Sequence, residues 1–305
     1  MNRNTTYSFV IPHHNTPKLL QRLIDSIPQR EDIEIIVVDD NSDDDKKANI
    51  TRSDVRTIYI DKEHTKGAGR ARNVGMDTAT GKWLIFADAD DFFDTEELGK
   101  ALDIYSSADY EVVAFPVRVV KSDTLEEGPW RDQWFNKLFY SDKSSQQKLL
   151  GTAAVWSKFI KHDFVVNNRI RFEEIRYSND QWFSANVAIY AKKIKHDESL
   201  NIYILTYVDN SLTRNRSLDA FECRFNAELR FWKLLLSHNL STERATYPRF
   251  LSWASDFGTC KVMKTYHSLI KNDVPNTTHS AKHRVKQLSL LFFILKSICM
   301  KLLLF

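Results

Sequence analysis

The sequence predicts an α/β fold built on a mixed, mostly parallel sheet and followed by a C-terminal helical region. Two observations predict it. Short apolar runs alternate with helical periodicities through the first hundred residues, and three of the four apolar runs end in polar side chains. Strands that alternate with helices form right-handed crossovers and a sheet covered on both faces. Ligands of such sheets bind beyond the carboxyl ends of the strands.

The first part of the chain contains four predicted strands and two predicted helices. Residues 7–11 form an apolar strand that stops at Pro12, and Pro17 begins a helix whose apolar residues recur at helical spacing through Ile27. The remaining elements of this part are strands over 33–38, 55–60 and 83–87 and a helix over 68–79.

The pattern weakens after residue 94. Asp94 and Thr95 are typical of a helix start. Further predicted elements are a strand over 111–120, mixed α/β structure over 151–207 and an amphipathic helix over 221–240. We divide the chain into four segments on this basis, namely 1–95, 96–215, 216–280 and 281–305.

Composition excludes several classes of protein. With 43% hydrophobic and 27% charged residues among 305, the chain is globular rather than disordered or fibrous. The net charge of +3 is too small for a protein that binds nucleic acid through charge, because 43 basic residues nearly balance 40 acidic ones. The three cysteines lack metal-binding spacing, which suits a reducing compartment. The polar N-terminus does not resemble a signal peptide, so we expect a cytoplasmic protein.

The end of the chain is basic and apolar. No acidic residue follows Asp273, whereas five basic ones do; without those five, the rest has 38 basic and 40 acidic residues. Two lysines within the 18 apolar-rich residues 288–305 disfavour a membrane span. The polar residues share about half of a helix circumference, which predicts that 281–305 lies in an anionic membrane surface. The alternative is a terminal helix docked on the protein or on a homodimer partner.

The acidic run Asp88-Ala89-Asp90-Asp91 follows the fourth predicted strand. Residues at positions i and i+2 of a strand point the same way, so Asp88 and Asp90 can present carboxylates to one site. Clustered carboxylates repel one another unless a cation is present, and Mg²⁺ or Mn²⁺ with a substrate diphosphate suits such a set. The alternative is a solvated acidic turn that caps the helix starting near Thr95.

Two further segments could bind a nucleotide. Asp39 and Asp40 end the second strand, where a carboxylate can accept hydrogen bonds from a base or a ribose; a helix-capping turn is the alternative. The stretch Gly67–Gly75 does not fit a dinucleotide-binding fingerprint, because it precedes the fourth strand instead of following the first. Its Arg70 and Arg72 could instead bind phosphate.

Four motifs together resemble family 2 glycosyltransferases. They are Ser-Phe-Val-Ile-Pro-His-His-Asn (8–15), Val-Val-Asp-Asp-Asn-Ser (37–42), Gly-Arg-Ala-Arg-Asn-Val-Gly (69–75) and Ala-Asp-Ala-Asp-Asp (87–91). Their order and spacing match the family over about the first 95 residues, and the resemblance continues more loosely through 155–158, 177–180 and 210–213. These are inverting enzymes of the GT-A fold, which has a Rossmann-like nucleotide-binding half, and they use nucleotide-diphosphate sugars.

The resemblance implies roles for individual residues. Those implied to bind the nucleotide sugar, with a UDP-sugar favoured, are Pro12, His14, Asn15, Asp40, Arg72, Asp88 and Ala89. His14 replaces the tyrosine usual at its position. Asp90 would bind Mn²⁺ or Mg²⁺ that bridges the diphosphate. Trp156, Lys158 and Arg214 would lie near the diphosphate or the acceptor.

The family's catalytic base is the acid of a Glu-Asp pair that opens a helix. Tyr177-Ser-Asn-Asp180 occupies that place here, so the resemblance implies Asp180 as the base, and Asn179 departs from the usual Glu. Glu173 and Glu174 are the fallback candidates. A helix N-terminal acid stabilised by the helix dipole is the alternative interpretation of Asp180.

The resulting hypothesis is a metal-assisted enzyme that transfers a sugar to a glycan or a lipid-linked acceptor in bacterial surface-polysaccharide synthesis, such as lipopolysaccharide or capsule. Segment 1–95 would bind the nucleotide sugar, 96–215 would hold acceptor and base, 216–280 would be a helical extension, and 281–305 would contact the inner leaflet peripherally. Two other classes stay open: a metal-dependent sugar-phosphate nucleotidyltransferase, and a non-catalytic nucleotide-sugar-binding membrane protein.

Overall fold

A computed structural model describes residues 5–48, 50, 52–61, 67–127, 132–152, 154–207, 215–242 and 246–275, without the side chains of 132–134. The chain divides into two compact units, Met1–Leu212 and Thr213–Phe305. Two predictions lie outside the described residues: the membrane helix over 281–305 and the placement of Arg214.

Among the described residues of the first unit, ten strands form two sheets. In chain order they are β1 (Tyr7–His13), β2 (Ile33–Asp40), β3 (Val55–Ile60), β4 (Trp83–Phe86), β5 (Phe92–Phe93), β6 (Val112–Ala114), β7 (Val117–Lys121), β8 (Lys158–Lys161), β9 (Ile194–His196) and β10 (Tyr203–Tyr207). The larger sheet has the order β3-β2-β1-β4-β8-β6-β9, and the smaller has the order β5-β10-β7. Both sheets mix parallel and antiparallel pairs.

The helices of the first unit are α1 (Pro17–Asp25), α2 (Ala68–Thr78), α3 (Thr95–Tyr105), α4 (Asp132–Phe139), α5 (Ser145–Gly151), α6 (His162–Asn167) and α7 (Asn179–Tyr190). Local chemistry explains two of their starts. Pro17 occupies the first turn of α1, where its missing N–H costs nothing. The Asp94 carboxylate accepts the Glu97 amide at 3.1 Å and caps α3, as the sequence predicts.

The parallel strands place their carboxyl ends at one edge of the larger sheet. β1 lies between β2 and β4 and runs parallel to both, with His13 opposite Asp39. Pro12 lies in this central strand although it cannot donate a hydrogen bond. The Val10 carbonyl accepts the Ala87 amide, so alternate residues of β1 face β4. The nitrogen of Pro12 therefore faces β4. The last paired residues of these two strands are Val10 and Phe86, so the missing N–H of Pro12 costs no hydrogen bond of the sheet.

The predicted single strand over 111–120 is wrong. The structure has two strands there, β6 and β7, separated by Phe115 and Pro116 and assigned to different sheets. Proline has no amide hydrogen for a ladder, and the residue before it is restricted too, so the chain can leave one sheet for the other at this point.

Close packing of α2 on the sheet gives a stability prediction. A Cβ on Gly75 would lie 2.4 Å from Cγ1 of Val10, a buried β-branched side chain of β1, whereas a Cβ on Gly99 in α3 would meet no atom within 4 Å. We expect Gly75→Ala to lower the free energy of unfolding by about 1–3 kcal/mol through overpacking. Gly99→Ala should raise it by up to about 1 kcal/mol through helix propensity. Urea unfolding of both variants measures the difference, and equal effects would contradict the packing argument.

The second unit is helical, as predicted for this region. Its helices are α8 (Leu218–Ser237), α9 (Thr246–Ala254) and α10 (Thr259–Lys271). Aromatic rings pack between α8 and α9, with Phe221 meeting Phe250 and Trp253 edge-on. Among the described residues, none of the helices combines the length and the apolarity that crossing a bilayer requires.

Candidate active site

The ends of β1 and β2 are joined by a buried histidine–aspartate pair. Nδ1 of His13 lies 2.8 Å from Oδ2 of Asp39, and both side chains are buried. Nε2 of His13 accepts the Thr16 amide at 3.2 Å, which leaves Nδ1 as the nitrogen that donates to Asp39. Oδ1 of Asp39 accepts the Ser42 amide at 2.8 Å. Both Asp39 oxygens are thus used to hold the two loops together.

Pro12, His14, Asn15 and Asp40, the residues predicted to surround a base, lie at this same edge. His14 donates from Nδ1 to the Asp40 carbonyl at 3.0 Å. The side-chain Oδ1 of Asn15 accepts the backbone amide of Asp43 at 2.8 Å. The backbone amide of Asn15 donates to the Ser42 hydroxyl. Asn15 adopts a left-handed backbone, with φ of 57°, which asparagine tolerates better than most residues. These bonds shape a polar rim in which His14 is exposed, whereas Pro12 is buried within β1.

Three carboxylates meet beyond the end of β4. Oxygens of Asp88, Asp90 and Asp91 lie within 4.8 Å of one another. A turn closed by the Asp91 amide and the Asp88 carbonyl at 3.0 Å brings them together across Ala89. The sequence predicts that Asp88 and Asp90 converge through strand alternation. The structure brings them together by a turn beyond β4 and adds Asp91.

Asp91 is the buried member of this acid cluster. Its carboxylate accepts the Tyr203 hydroxyl at 2.7 Å and the Thr206 amide at 2.6 Å, both from β10. Burial, and then the charges of Asp90 and Asp88, raise the pKa of Asp91 well above its ordinary value. The three acids therefore repel one another when all are ionised, and a positive charge close to them would relieve this repulsion.

The Asp90 backbone is fixed by two donors. Its carbonyl accepts Nη2 of Arg22, from α1, at 2.6 Å and the Thr206 hydroxyl at 2.6 Å. The Arg22 guanidinium lies over the Phe92 ring, 4.8 Å from its centroid. Burial lowers the Arg22 pKa, and the charges of Asp91 and Asp90 oppose that change. Arg22, Tyr203 and Thr206 were not among the predicted site residues, because each is far from the acids in sequence.

Arg72 connects the acid cluster to α7. From α2, it donates through Nη2 to Asp88 at 2.5 Å and through Nη1 to the Asn179 side-chain oxygen at 2.8 Å. The side chain is buried, and within the described residues its Nε has no hydrogen-bond partner. Asn179, the departure from the family's usual Glu, thus binds Arg72 without neutralising its charge.

Gly69 allows α2 to approach α7 this closely. A Cβ at that position would lie 2.0 Å from the Glu173 carbonyl oxygen and 2.9 Å from Cβ of Asn179. The contact holds Arg72 within reach of Asn179, one residue before Asp180.

Asp180 lies in the first turn of α7 and is half-buried. The residue before the helix, Ser178, has a left-handed backbone with φ of 58°. Such strained positions are frequent at functional sites. Of the fallback candidates, the Glu174 carboxylate accepts hydrogen bonds from Arg70 at 3.2 Å and from Asn73 at 3.3 Å. The backbone amide of Glu173 donates to the carbonyl of Asn179, the first residue of α7, at 3.3 Å.

Trp156 reaches the acid cluster through Tyr203, whereas Lys158 is close enough to Asp180 to feel its charge. Trp156 stacks on Tyr203 with ring centroids 5.5 Å apart, and Tyr203 in turn bonds Asp91. Lys158 is buried and donates from Nζ to the Ala154 carbonyl at 2.7 Å. Burial lowers the pKa of Lys158 to about 7, and the charge of Asp180 opposes part of this change.

The lowered pKa of Lys158 predicts a pH-dependent stability. The unfolded chain binds more protons at this group than the folded chain between pH 7 and about 10, so its contribution to stability rises with pH across that window. We expect Lys158→Met to stabilise the protein at pH 6.5, and the wild type to regain about 3 kcal/mol relative to the variant by pH 9.5. Urea unfolding at both pH values, with Lys195→Met as an exposed control, checks this. A pH-independent difference would contradict it.

Comparisons with known proteins identify the family and the fold. The family model Glycosyl transferase family 2 matches residues 8–166. The Staphylococcus aureus (strain MW2) poly(ribitol-phosphate) β-N-acetylglucosaminyltransferase TarS is 22% identical over 206 residues, covering 62% of this chain and 33% of that protein. The Campylobacter jejuni GalNAc(5)-diNAcBac-PP-undecaprenol β-1,3-glucosyltransferase is 38% identical over 90 residues, covering 28% of this chain and 29% of that protein.

A solved structure shares the fold. The crystal structure of S. aureus TarS 1-349 in complex with UDP-GlcNAc superposes with a TM-score of 0.59 at 17% identity, covering 88% of this chain and 89% of that one. The likeness confirms the predicted α/β GT-A fold. The matched part spans about a third of the length of the curated relatives. The family model matches residues 8–166, which is more than half of the 305 residues of this chain, and the chain therefore belongs to glycosyl transferase family 2.

Proposed function

We propose that this protein transfers a sugar, with inversion, from a nucleotide-diphosphate sugar to a hydroxyl group of a glycan or lipid-linked acceptor. One observation supports the proposal above all: Arg72 joins Asp88 of the acid cluster to Asn179, the neighbour of Asp180, through two hydrogen bonds. The candidate diphosphate site and the candidate base are therefore neighbours at one edge of the sheet.

The nucleoside would bind at the rim formed by the loops after β1 and β2. The two Asp39 oxygens accept His13 and the Ser42 amide. We assign Asp40 to the base, as the family resemblance implies. The exposed His14 imidazole can stack on a pyrimidine. A uridine donor is favoured by the family resemblance and by the similar S. aureus TarS structure, which is a complex with UDP-GlcNAc.

The acid cluster suits a hard divalent cation, Mn²⁺ or Mg²⁺. Three carboxylates with oxygens within 4.8 Å form an oxygen donor set. Burial, and then the charges of Asp90 and Asp88, raise the pKa of Asp91, and a cation would relieve the repulsion from these two charges. We assign Asp90 as the principal ligand, as the family resemblance implies. Asp88, which accepts Arg72, and Asp91, which accepts two donors from β10, lie beside it. The ion would neutralise charge that develops on the departing diphosphate.

Asp180 would remove the proton from the acceptor hydroxyl. The acceptor oxygen then forms a bond to the anomeric carbon while the bond from that carbon to the nucleoside diphosphate breaks on the opposite side. The N-terminus of α7 favours the ionised carboxylate that this role requires. Arg72 would stabilise the leaving diphosphate: its guanidinium pairs with Asp88 and also bonds to Asn179, which is neutral and does not offset its positive charge.

The names of the relatives support an acceptor of the surface-polymer or lipid-linked class. A lipid-linked acceptor would be reached from the membrane surface, so we further propose that the protein acts at the cytoplasmic face of the membrane, with residues 281–305 as its basic anchor.

A thermal-shift panel of nucleotide sugars, each with Mn²⁺ and with EDTA, tests the donor and the metal together. A donor at 100 times its Kd stabilises the folded form by about 2.7 kcal/mol, or roughly 5–10 °C for a unit of this size. We expect a uridine-diphosphate sugar to give the largest shift, and only with Mn²⁺. No shift with any uridine, guanosine or thymidine diphosphate would overturn the proposal.

A further inference from the structure

Helix α10 exposes an apolar face that is separate from the face it packs inward. Val262, Thr265 and Leu269 are buried on one side of the helix. Met263, Tyr266 and Ile270 follow at helical spacing on the adjacent side, with 49%, 39% and 51% of their surface exposed. We call these three residues the α10 apolar face. Nearly half of each side chain meets solvent, an unusual density of large apolar groups for one short helix.

A basic stripe borders this face. Lys264, His267 and Lys271 occupy the next positions around the helix and are exposed. No acidic residue lies between Asp256 and Asp273. Neither Lys264 nor Lys271 forms an ion pair with any residue that the structure describes, whereas Lys261, nearer the inward side, pairs with Glu222. Within α10 itself the exposed side is therefore apolar next to cationic, and the nearest acid that follows it is the exposed Asp273, two residues past the end of the helix.

We propose that the α10 apolar face lies in the surface of an anionic lipid bilayer. Apolar side chains beside lysines are the pattern of an interfacial helix, with the former at the acyl boundary and the latter at the headgroups. Each lysine near an anionic surface contributes about 1 kcal/mol. This surface is distinct from residues 281–305 and from the donor and base assignments. Sedimentation with an unshifted label at position 263 would overturn it and leave the proposed anchor over 281–305 standing.

Charge favours lipid over a second copy of the chain as the occupant. In a two-fold dimer the same patch would meet itself. The two lysines of one copy would then approach those of the other, with only one flanking acid in each copy, Asp273, to set against them. An anionic bilayer supplies negative charge for both lysines.

A site-specific label tests whether the face enters the bilayer. The full chain with its three cysteines replaced by serine receives Met263→Cys, labelled with an environment-sensitive fluorophore; Val166→Cys is the matched control, an exposed apolar residue on α6 with 59% of its surface accessible. We expect a blue shift at position 263 with phosphatidylglycerol vesicles, none with phosphatidylcholine vesicles, and none at position 166.

Binding strength gives a second measurement. In vesicle co-sedimentation of the full chain, Lys264→Gln with Lys271→Gln should weaken partitioning by about fivefold for each lysine. Lys192→Gln with Lys195→Gln, two exposed lysines of the first unit, should change it little. Three results would overturn the proposal: no sedimentation of the chain, sedimentation with an unshifted label at 263, and a shift that depends on protein concentration without lipid, which would indicate self-association.

Discussion

Asp180→Asn should lower the turnover number by about 10²–10⁴-fold, the usual contribution of positioned proton removal. The substitution keeps the size of the side chain and its place in the first turn of α7, but the amide cannot accept the proton of the acceptor hydroxyl. Donor affinity should stay within about twofold, since the assigned nucleotide contacts lie on other elements. Steady-state kinetics with the donor found by thermal shift, together with donor titration, measures both quantities.

Asp163→Asn is the matched control for this variant. Asp163 is also an acid in the first turn of a helix, α6, and it is exposed. Loss of a favourable helix-dipole interaction would affect both variants alike, whereas loss of a base affects only Asp180→Asn. Full turnover by Asp180→Asn would refute the base assignment and make Glu173 the next candidate.

Asp90→Asn should weaken Mn²⁺-dependent donor binding by at least about 100-fold. Changes that only orient a ligand cost 10–100-fold in metal affinity, and a direct ligand should cost more. The fold should tolerate the change, because Arg22 and Thr206 hold the Asp90 carbonyl, which asparagine retains. Calorimetric titration of donor with Mn²⁺ and with EDTA measures the effect.

Asp123→Asn controls for the loss of one negative charge, since Asp123 is an exposed acid of the same unit that pairs with Lys121. The control should bind donor and Mn²⁺ as the wild type does. If Mn²⁺ strengthens donor binding to Asp90→Asn as much as to the wild type, Asp90 is not the ligand.

Much of the fold could be predicted from local patterns. The apolar runs of β1, β2 and β4 and the helix start at Pro17 are encoded within a few residues, and the structure has them where the sequence predicts. The prediction was wrong over 111–120, where the strand splits at Phe115 and Pro116 between two sheets. The apolar and β-branched residues on both sides outweighed the proline in the sequence pattern.

Some residues of the candidate site could likewise be predicted from local sequence, and others could not. Asp88 and Asp90 could be found because they are two residues apart and follow a strand. Tyr203 could not, because its hydroxyl reaches Asp91 across 112 positions of the chain. Nothing around Tyr203 in the sequence distinguishes it from a core tyrosine.

Local sequence was enough to establish the alternation of the first strands and helices, the acids at the end of β4 and the family to which their spacing belongs. Those properties depend on short-range periodicity and on side chains only a few residues apart. The folded chain was needed to see that Arg72 bridges Asp88 and Asn179, that Arg22 holds Asp90, and that burial lowers the pKa of Lys158 to about 7. Hydrogen bonds and desolvation depend on which distant segments come into contact, and packing selects those contacts.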